Sequence, residues 1–182
     1  MSLREIVLEE TQPETEWVRE RALQKVSPTY RHGLAQSLIA TALRSWAYAG
    51  RHGRVATEWR FRVTPPGEVT RPLVPDVAYI SYIALPADAP IEAVEVPRAA
   101  PTVAFEVLSP DDRAEDVQHK VEVYLTSGSS AVITVDPVRE RAVIYDSAGE
   151  QTLLPSDVLA HPALPGFTFD LSSLFAHIRS LR

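Results

Sequence analysis

The chain has 182 residues, 45% of them hydrophobic and 23% charged, with a net charge of −6 and no cysteine. That length carries one hydrophobic core and reads as a single domain over 1–182. The lack of cysteine excludes disulfides and thiolate metal sites, and the lack of an apolar run of roughly 18 residues excludes a transmembrane helix. The acidic balance runs against a broad nucleic-acid surface, which is normally basic, but not against a local basic strip. The N-terminus lacks the basic-then-apolar pattern of a signal peptide, so the expectation is a cytoplasmic protein.

Residues 1–26 form an N-terminal extension that reads in two ways: a short helix over 14–26, or a strand pair joining Trp17-Val18 to residues 23–26. Ser27-Pro28-Thr29 breaks the chain and opens a helix over 31–48, whose apolar residues Leu34, Leu38, Ile39, Leu43 and Trp46 recur at helical spacing. Gly50 and Gly53 end it, with Arg51 and His52 where cations suit a helix C-terminus. Residues 55–63 alternate strictly, with Val55, Thr57, Trp59, Phe61 and Val63 on one side, which predicts one strand with one buried face. After the Pro65-Pro66-Gly67 turn a second strand runs over 73–83; Pro75 cannot donate to a ladder and places an edge or a bulge near its start. Residues 84–101 read as a long Pro- and Ala-rich surface loop, and 102–108 as a third strand.

Ser109 reads as an N-cap, with Pro110 at the first helical position and Asp112 at the third, of a helix that runs to about Thr126. Val117, Val121 and Tyr124 form its apolar stripe, and Lys120 borders that stripe. Gly128 ends it, a fourth strand follows over 131–135, and this strand–helix–strand unit predicts a parallel crossover. A hairpin partner over 142–145, a short strand over 167–170 and a terminal helix over 171–178 complete the chain. The core order is α-β-β-β-α-β: an α/β fold with one mixed sheet flanked by helices.

Chemistry concentrates on Asp76 and Glu106, which lie on successive strands. A carboxylate inside an apolar strand run is costly unless a metal or a partner charge compensates it. If the two strands are neighbours, both side chains can converge on one hard cation such as Mg²⁺, which takes few carboxylates plus water and a substrate phosphate. Lys120 is placed to act on the attacking water or on the charge developing at phosphorus. The residues leave a structural account equally open: Asp76 as a turn former after Pro75, Glu106 paired with an arginine, and Lys120 paired only with Asp116. Among five histidines none shows metal-ligand spacing; His32, at the first helix's start, is the weak site candidate, and Glu58 an additional candidate ligand. A glycosidase with two carboxylates is a third reading, against which Lys120 speaks.

At these residues the chain resembles the PD-(D/E)XK nuclease superfamily and, within it, the bacterial Uma-two family of restriction endonucleases. The segments that carry the resemblance are SPTYRHG (27–33), VPDVAYI (74–80), AFEVLSPDDRAEDVQHKVEVYLTSG (104–128), ITVDP (133–137) and LPGFTFDLSSLF (164–175). The resemblance implies a restriction-endonuclease-like fold and Mg²⁺ or Mn²⁺ bound by Asp76, Glu106 and the carbonyl of Val107. It also implies DNA as substrate, and it favours a hairpin in the N-terminal extension. The superfamily lysine two positions after the glutamate is here Leu108; in relatives that lysine has moved into the following helix, the place Lys120 fits. The expected activity is metal-dependent hydrolysis of DNA phosphodiester bonds, with a homodimer as a candidate assembly. The alternative is a nuclease-like domain that binds nucleic acid or protein without cutting.

Overall fold

The computed structural model describes residues 5–9, 11, 13–25 and 28–180. The chain opens on a hairpin of β1 (Thr15–Val18) and β2 (Arg21–Gln24), turned by Arg19 and Glu20 at positive φ. This settles the two readings of the extension in favour of strands; of the expected second strand, Val26 lies outside the described residues, as does Ser27. On β1, Glu16 and Val18 are buried and alternate with half-buried Thr15 and Trp17, the period of a strand lying on a core.

The helix α1 (Tyr30–Gly50) is capped by Thr29, whose hydroxyl accepts from the His32 N–H, and closed by Arg51 in the left-handed conformation. Its buried face is His32, Ala35, Gln36, Ile39, Leu43 and Ala47, whereas Leu34, Leu38 and Trp46 are only half-buried flanks. The face is therefore turned from the one the apolar residues predict. Two alanines let the backbone lie close to the sheet, and two polar side chains enter the buried stripe at its N-terminal end.

The strand expected over 55–63 is two: β3 (Gly53–Thr57) and β4 (Phe61–Val63). Glu58, at φ 48, breaks the run. Val55 consequently packs with one side of the sheet, while Trp59, Phe61 and Val63 pack on the other. The strand expected over 73–83 divides in the same way into β5 (Arg71–Leu73) and β6 (Val77–Ser81), with Pro75-Asp76 at the break; β4 pairs β5, and β3 pairs β6. The segment expected as a loop contains a short helix, α2 (Ile91–Glu95).

β7 (Val103–Val107) leads into α3 (Ala114–Thr126), β8 (Ala131–Asp136) and β9 (Arg141–Asp146). α3 starts later than its cap signals predict. Ser109 and Asp112 instead close a turn on each other, the Ser109 N–H donating to Asp112 Oδ2 at 2.7 Å. An edge strand, β10 (Gly149–Leu153), was not legible, because only Leu153 on it is buried. β11 (Val158–Leu159), β12 (Phe169–Asp170) and α4 (Leu171–Arg179) close the chain.

The main sheet has the order β10-β9-β8-β7-β6-β3. Only β7 and β8 are parallel, as the α3 crossover requires; the other pairs are antiparallel. One face, with Tyr79, Phe105 and Ile133, packs on α1 and α4; the other, with Ala78, Ala104 and Val132, packs on Val121 and Tyr124 of α3. The α/β expectation of a mixed sheet between helices therefore holds. Among the described residues, no helix is long and apolar enough to cross a membrane.

Candidate active site

The strand register builds the site. β3 pairs Thr57 with Val77, so the next step sets Glu58 against Asp76, whose carbonyl accepts from the Glu58 N–H at 3.2 Å. β6 pairs Val77 with Phe105, so the same step sets Asp76 against Glu106, and β7 pairs Glu106 with Thr134. Three carboxylates thus lie in one row at the ends of three neighbouring strands. Asp76 Oδ2 accepts from the Val107 N–H at 2.7 Å, which fixes its carboxylate toward β7.

Two lysines face this row, Lys120 buried and Lys25 half-buried. Lys120, on α3, donates to Glu106 Oε2 at 2.7 Å and to Glu16 Oε2 at 2.9 Å. Its alternative as an exposed partner of Asp116 is overturned: Lys120 is 7% exposed, and Asp116 pairs with Arg21 Nη2 at 2.6 Å. Nor does Glu106 meet an arginine; its partner is this lysine. Lys25, just past β2, donates to Asp76 Oδ1 at 2.7 Å, Glu58 Oε2 at 2.8 Å and the Val74 carbonyl at 3.0 Å.

From α1, Gln36 Nε2 donates to Glu58 Oε1 at 2.8 Å and to the Asp76 carbonyl at 2.9 Å. His32 Nε2 lies 3.3 Å from Asp76 Oδ2. The structure therefore brings together every side chain singled out from the sequence: Asp76, Glu106, Lys120, His32 and Glu58. Val107 lines a cavity of about 300 Å³ together with Asp76, Glu106, Lys120 and His32, and Glu58 stands behind it on the far side of Lys25 from Asp76.

Three participants escaped the sequence reading. Glu16 carried the signal that exposed Glu106, a carboxylate at a buried strand position. The signal is ambiguous in the sequence because residues 14–26 read equally as helix or strand. The second oxygen of Glu16 accepts from the Val74 N–H at 2.7 Å, so it ties the hairpin to the chain entering Asp76. Lys25 and Gln36 had no local signal at all, since their partners are 33 to 51 residues away for Lys25 and 22 and 40 for Gln36.

The charges set one another's protonation. Burial pushes Glu106 up to about 8, Asp76 and Glu16 acting the same way, against the pull of Lys120. Two acids share that one ammonium, and burial disfavours a second full negative charge beside it. Burial would raise Asp76 as well, but the Lys25 ammonium, with His32 and Lys120, outweighs it and holds this carboxyl well below the usual range. Burial alone would discharge both lysines; Asp76 and Glu16 for Lys25, and Glu106 and Glu16 for Lys120, keep them protonated beyond the ordinary lysine range. His32 is also raised: Asp76 overcomes the cost of burying its cation.

Hydrogen-bond capacity separates the two lysines. An ammonium has three donors. Lys25 spends all three, whereas Lys120 spends two and keeps one. Glu106 Oε1 is buried with no partner. The cavity thus holds a spare cationic donor beside a spare carboxylate oxygen. Among the described residues, no three His, Asp or Glu side chains converge as a ready metal cluster: Lys25 stands between Asp76 and Glu58, and Lys120 between Glu106 and Glu16. The carboxylates on offer to a hard divalent cation, which takes one or two of them and completes its shell with water and substrate oxygens, are Asp76 and Glu106; of their oxygens Glu106 Oε1 is without a partner, while both of Asp76 are engaged by Lys25, His32 and the Val107 N–H.

The fold has a counterpart. A crystal structure from Anabaena variabilis ATCC 29413, described as "a putative nuclease belonging to DUF820", superposes with a TM-score of 0.82 over 94% of both chains at 22% identity, which is a likeness of fold. No curated protein matches the chain. A family model described as "Putative restriction endonuclease" matches residues 3–172, all the elements that build the site. The chain belongs to this family, Uma2.

Proposed function

We propose that the protein is an endonuclease that hydrolyses DNA phosphodiester bonds with Mg²⁺ or Mn²⁺, held by Asp76, Glu106 and the carbonyl of Val107, with Lys120 as its catalytic cation. The observation that carries this reading is Lys120: a buried ammonium 2.7 Å from Glu106 with one donor unspent. The family description, "Putative restriction endonuclease", supports the substrate class. Held there, the ion would supply Lewis-acid stabilisation of phosphate charge and would make a water more acidic.

Lys120 stays protonated, so it does not take the proton of the attacking water. Its free N–H instead orients that water or a non-bridging phosphate oxygen and stabilises the charge that builds up there. Glu16 holds the ammonium from its other side and fixes its direction. His32 and the Val107 N–H hold Asp76.

The test is turnover on supercoiled, linear and single-stranded DNA with Mg²⁺ or Mn²⁺. Lys120→Ala should lose at least ~100-fold in rate, measured on protein that keeps the wild-type circular-dichroism spectrum and still binds Mn²⁺. Equal rates would remove Lys120 from the reaction. A wild type that binds metal yet cuts none of these substrates would favour the non-cutting, nuclease-like binding domain.

A further inference from the structure

Lys25 is used by nothing in this mechanism. It comes from the N-terminal hairpin, and its three donors end on oxygens: Asp76 Oδ1 at 2.7 Å, Glu58 Oε2 at 2.8 Å and the Val74 carbonyl at 3.0 Å. With no donor left it cannot bind substrate directly. We propose that Lys25 is a built-in second cation, its ammonium filling an oxygen cradle that would otherwise take a second divalent ion. The proposal rests on the reading of Asp76 and Glu106 as the first ion's ligands.

Two carboxylates and a main-chain carbonyl are the oxygen set that hard cations choose. The cradle lies on the β3 side of Asp76, and Glu106 on the β7 side, so Asp76 is shared between the two positions. The cradle is organised without Lys25. Gln36 holds Glu58 Oε1, the Glu58 N–H bonds the Asp76 carbonyl, and Glu58 sits at φ 48, a conformation held by its surroundings rather than by preference. Lys25 is delivered from outside: the hairpin that carries it is fastened to α3 by Arg19–Glu115 and Arg21–Asp116, and to the segment before β4 by Glu14–Arg60. Phosphodiesterases with two ions use one on each side of the reacting phosphate. Here one of the two positive charges is tethered, so one exchangeable ion suffices.

Calorimetric Mn²⁺ titration and melting in the presence of Mn²⁺ test this on the full chain. The wild type should bind one ion. Lys25→Met, which keeps bulk and loses charge, should bind two and gain more in melting temperature from Mn²⁺. Adding Glu58→Gln should return the stoichiometry to one. If Lys25→Met folds only with Mn²⁺, recovery of its spectrum on Mn²⁺ addition supports the proposal, and failure to fold at saturating Mn²⁺ overturns it. Two ions in the wild type, or one ion of unchanged affinity in Lys25→Met, also overturn it. One Glu58-dependent ion in Lys25→Met and none in the wild type would support the cradle but sink the Asp76–Glu106 reading. No ion in either protein sinks both.

Discussion

Glu106 and Asp76 face each other across one pair of strands yet respond to pH in opposite senses. An ordinary glutamate titrates near 4.5, whereas burial, reinforced by Asp76 and Glu16, moves Glu106 up to about 8. Between those values the unfolded chain has released a proton that the folded chain still holds, so the contribution of Glu106 is fully present below 4.5 and is lost as pH rises through 8. Asp76, held below its usual 3.8 by Lys25 against the cost of burial, contributes above that value and is lost in acid. Glu106→Gln keeps the shape and an acceptor for Lys120 but removes the titration. In chelator, wild type and variant should melt within a degree or so at pH 4. The variant should pull ahead as pH rises and be ahead by at least ~1 kcal/mol above pH 8, since each pKa unit is worth about 1.4 kcal/mol. A difference that stays constant across this range would show that Glu106 ionises freely. Its Mn²⁺ affinity should be lost at every pH. At this scale the sequence was readable where one residue contradicts its neighbours, as Glu106 does among Val103, Ala104, Phe105 and Val107. It was unreadable for Lys25, whose meaning lies wholly in partners that only the fold brings near.

At the scale of elements, the site exists because two strands break where a periodic pattern reads them as continuous. Strict alternation over 55–63 is compatible with one strand only if Glu58 stays extended; its left-handed conformation ends β3 at the row of carboxylates and sends Phe61 and Val63 to the other sheet face. Pro75, which cannot continue a ladder, pointed to an edge or a bulge at this place; the structure has a full break there, with β6 inside the sheet between β7 and β3. The helix stripe of α3 misled in a related way. Apolar spacing pointed to Val117, but Asp116 and Lys120 take buried places because charges across the interface receive them. The opposite end of β3 is fixed by Gly53, where a Cβ would collide with the carbonyl oxygen of Ile80 across the β3–β6 pair. Backbone is a neighbour that cannot rotate away. Gly53→Ala should therefore cost ~2–3 kcal/mol in denaturant unfolding, the upper part of the range for overpacking. A loss under about 0.5 kcal/mol, the size of an ordinary surface substitution, would mean the β3–β6 pair is loosely joined and the carboxylate row poorly registered.

For the whole molecule the central quantity is charge. A chain at −6 is repelled by DNA at long range, so engagement has to depend on where its cations lie. Several lie around the mouth of the site. Arg113 lines the cavity of the candidate site, Arg31 lines a neighbouring hollow that shares His32 and Leu108 with it, and Arg141 lines a groove that shares Leu108, Ser109 and Asp112. All three are exposed. Arg113 is the informative one, because it stands at the N-cap of α3, where its backbone serves the helix while its side chain is available. If it neutralises a phosphate, Arg113→Ala should weaken binding of a short duplex about equally for all sequences and reduce the slope of log affinity against log salt by about 1. Fluorescence anisotropy in the Lys120→Ala background, at several salt concentrations with Mg²⁺, reads both without cleavage. Because the loss of an arginine moves the net charge only from −6 to −7, a general effect of acidity would leave the slope almost unchanged, whereas a local contact removes about one counterion's worth. An unchanged slope would place the DNA path elsewhere, and no binding by either protein at low salt would favour a protein partner over nucleic acid.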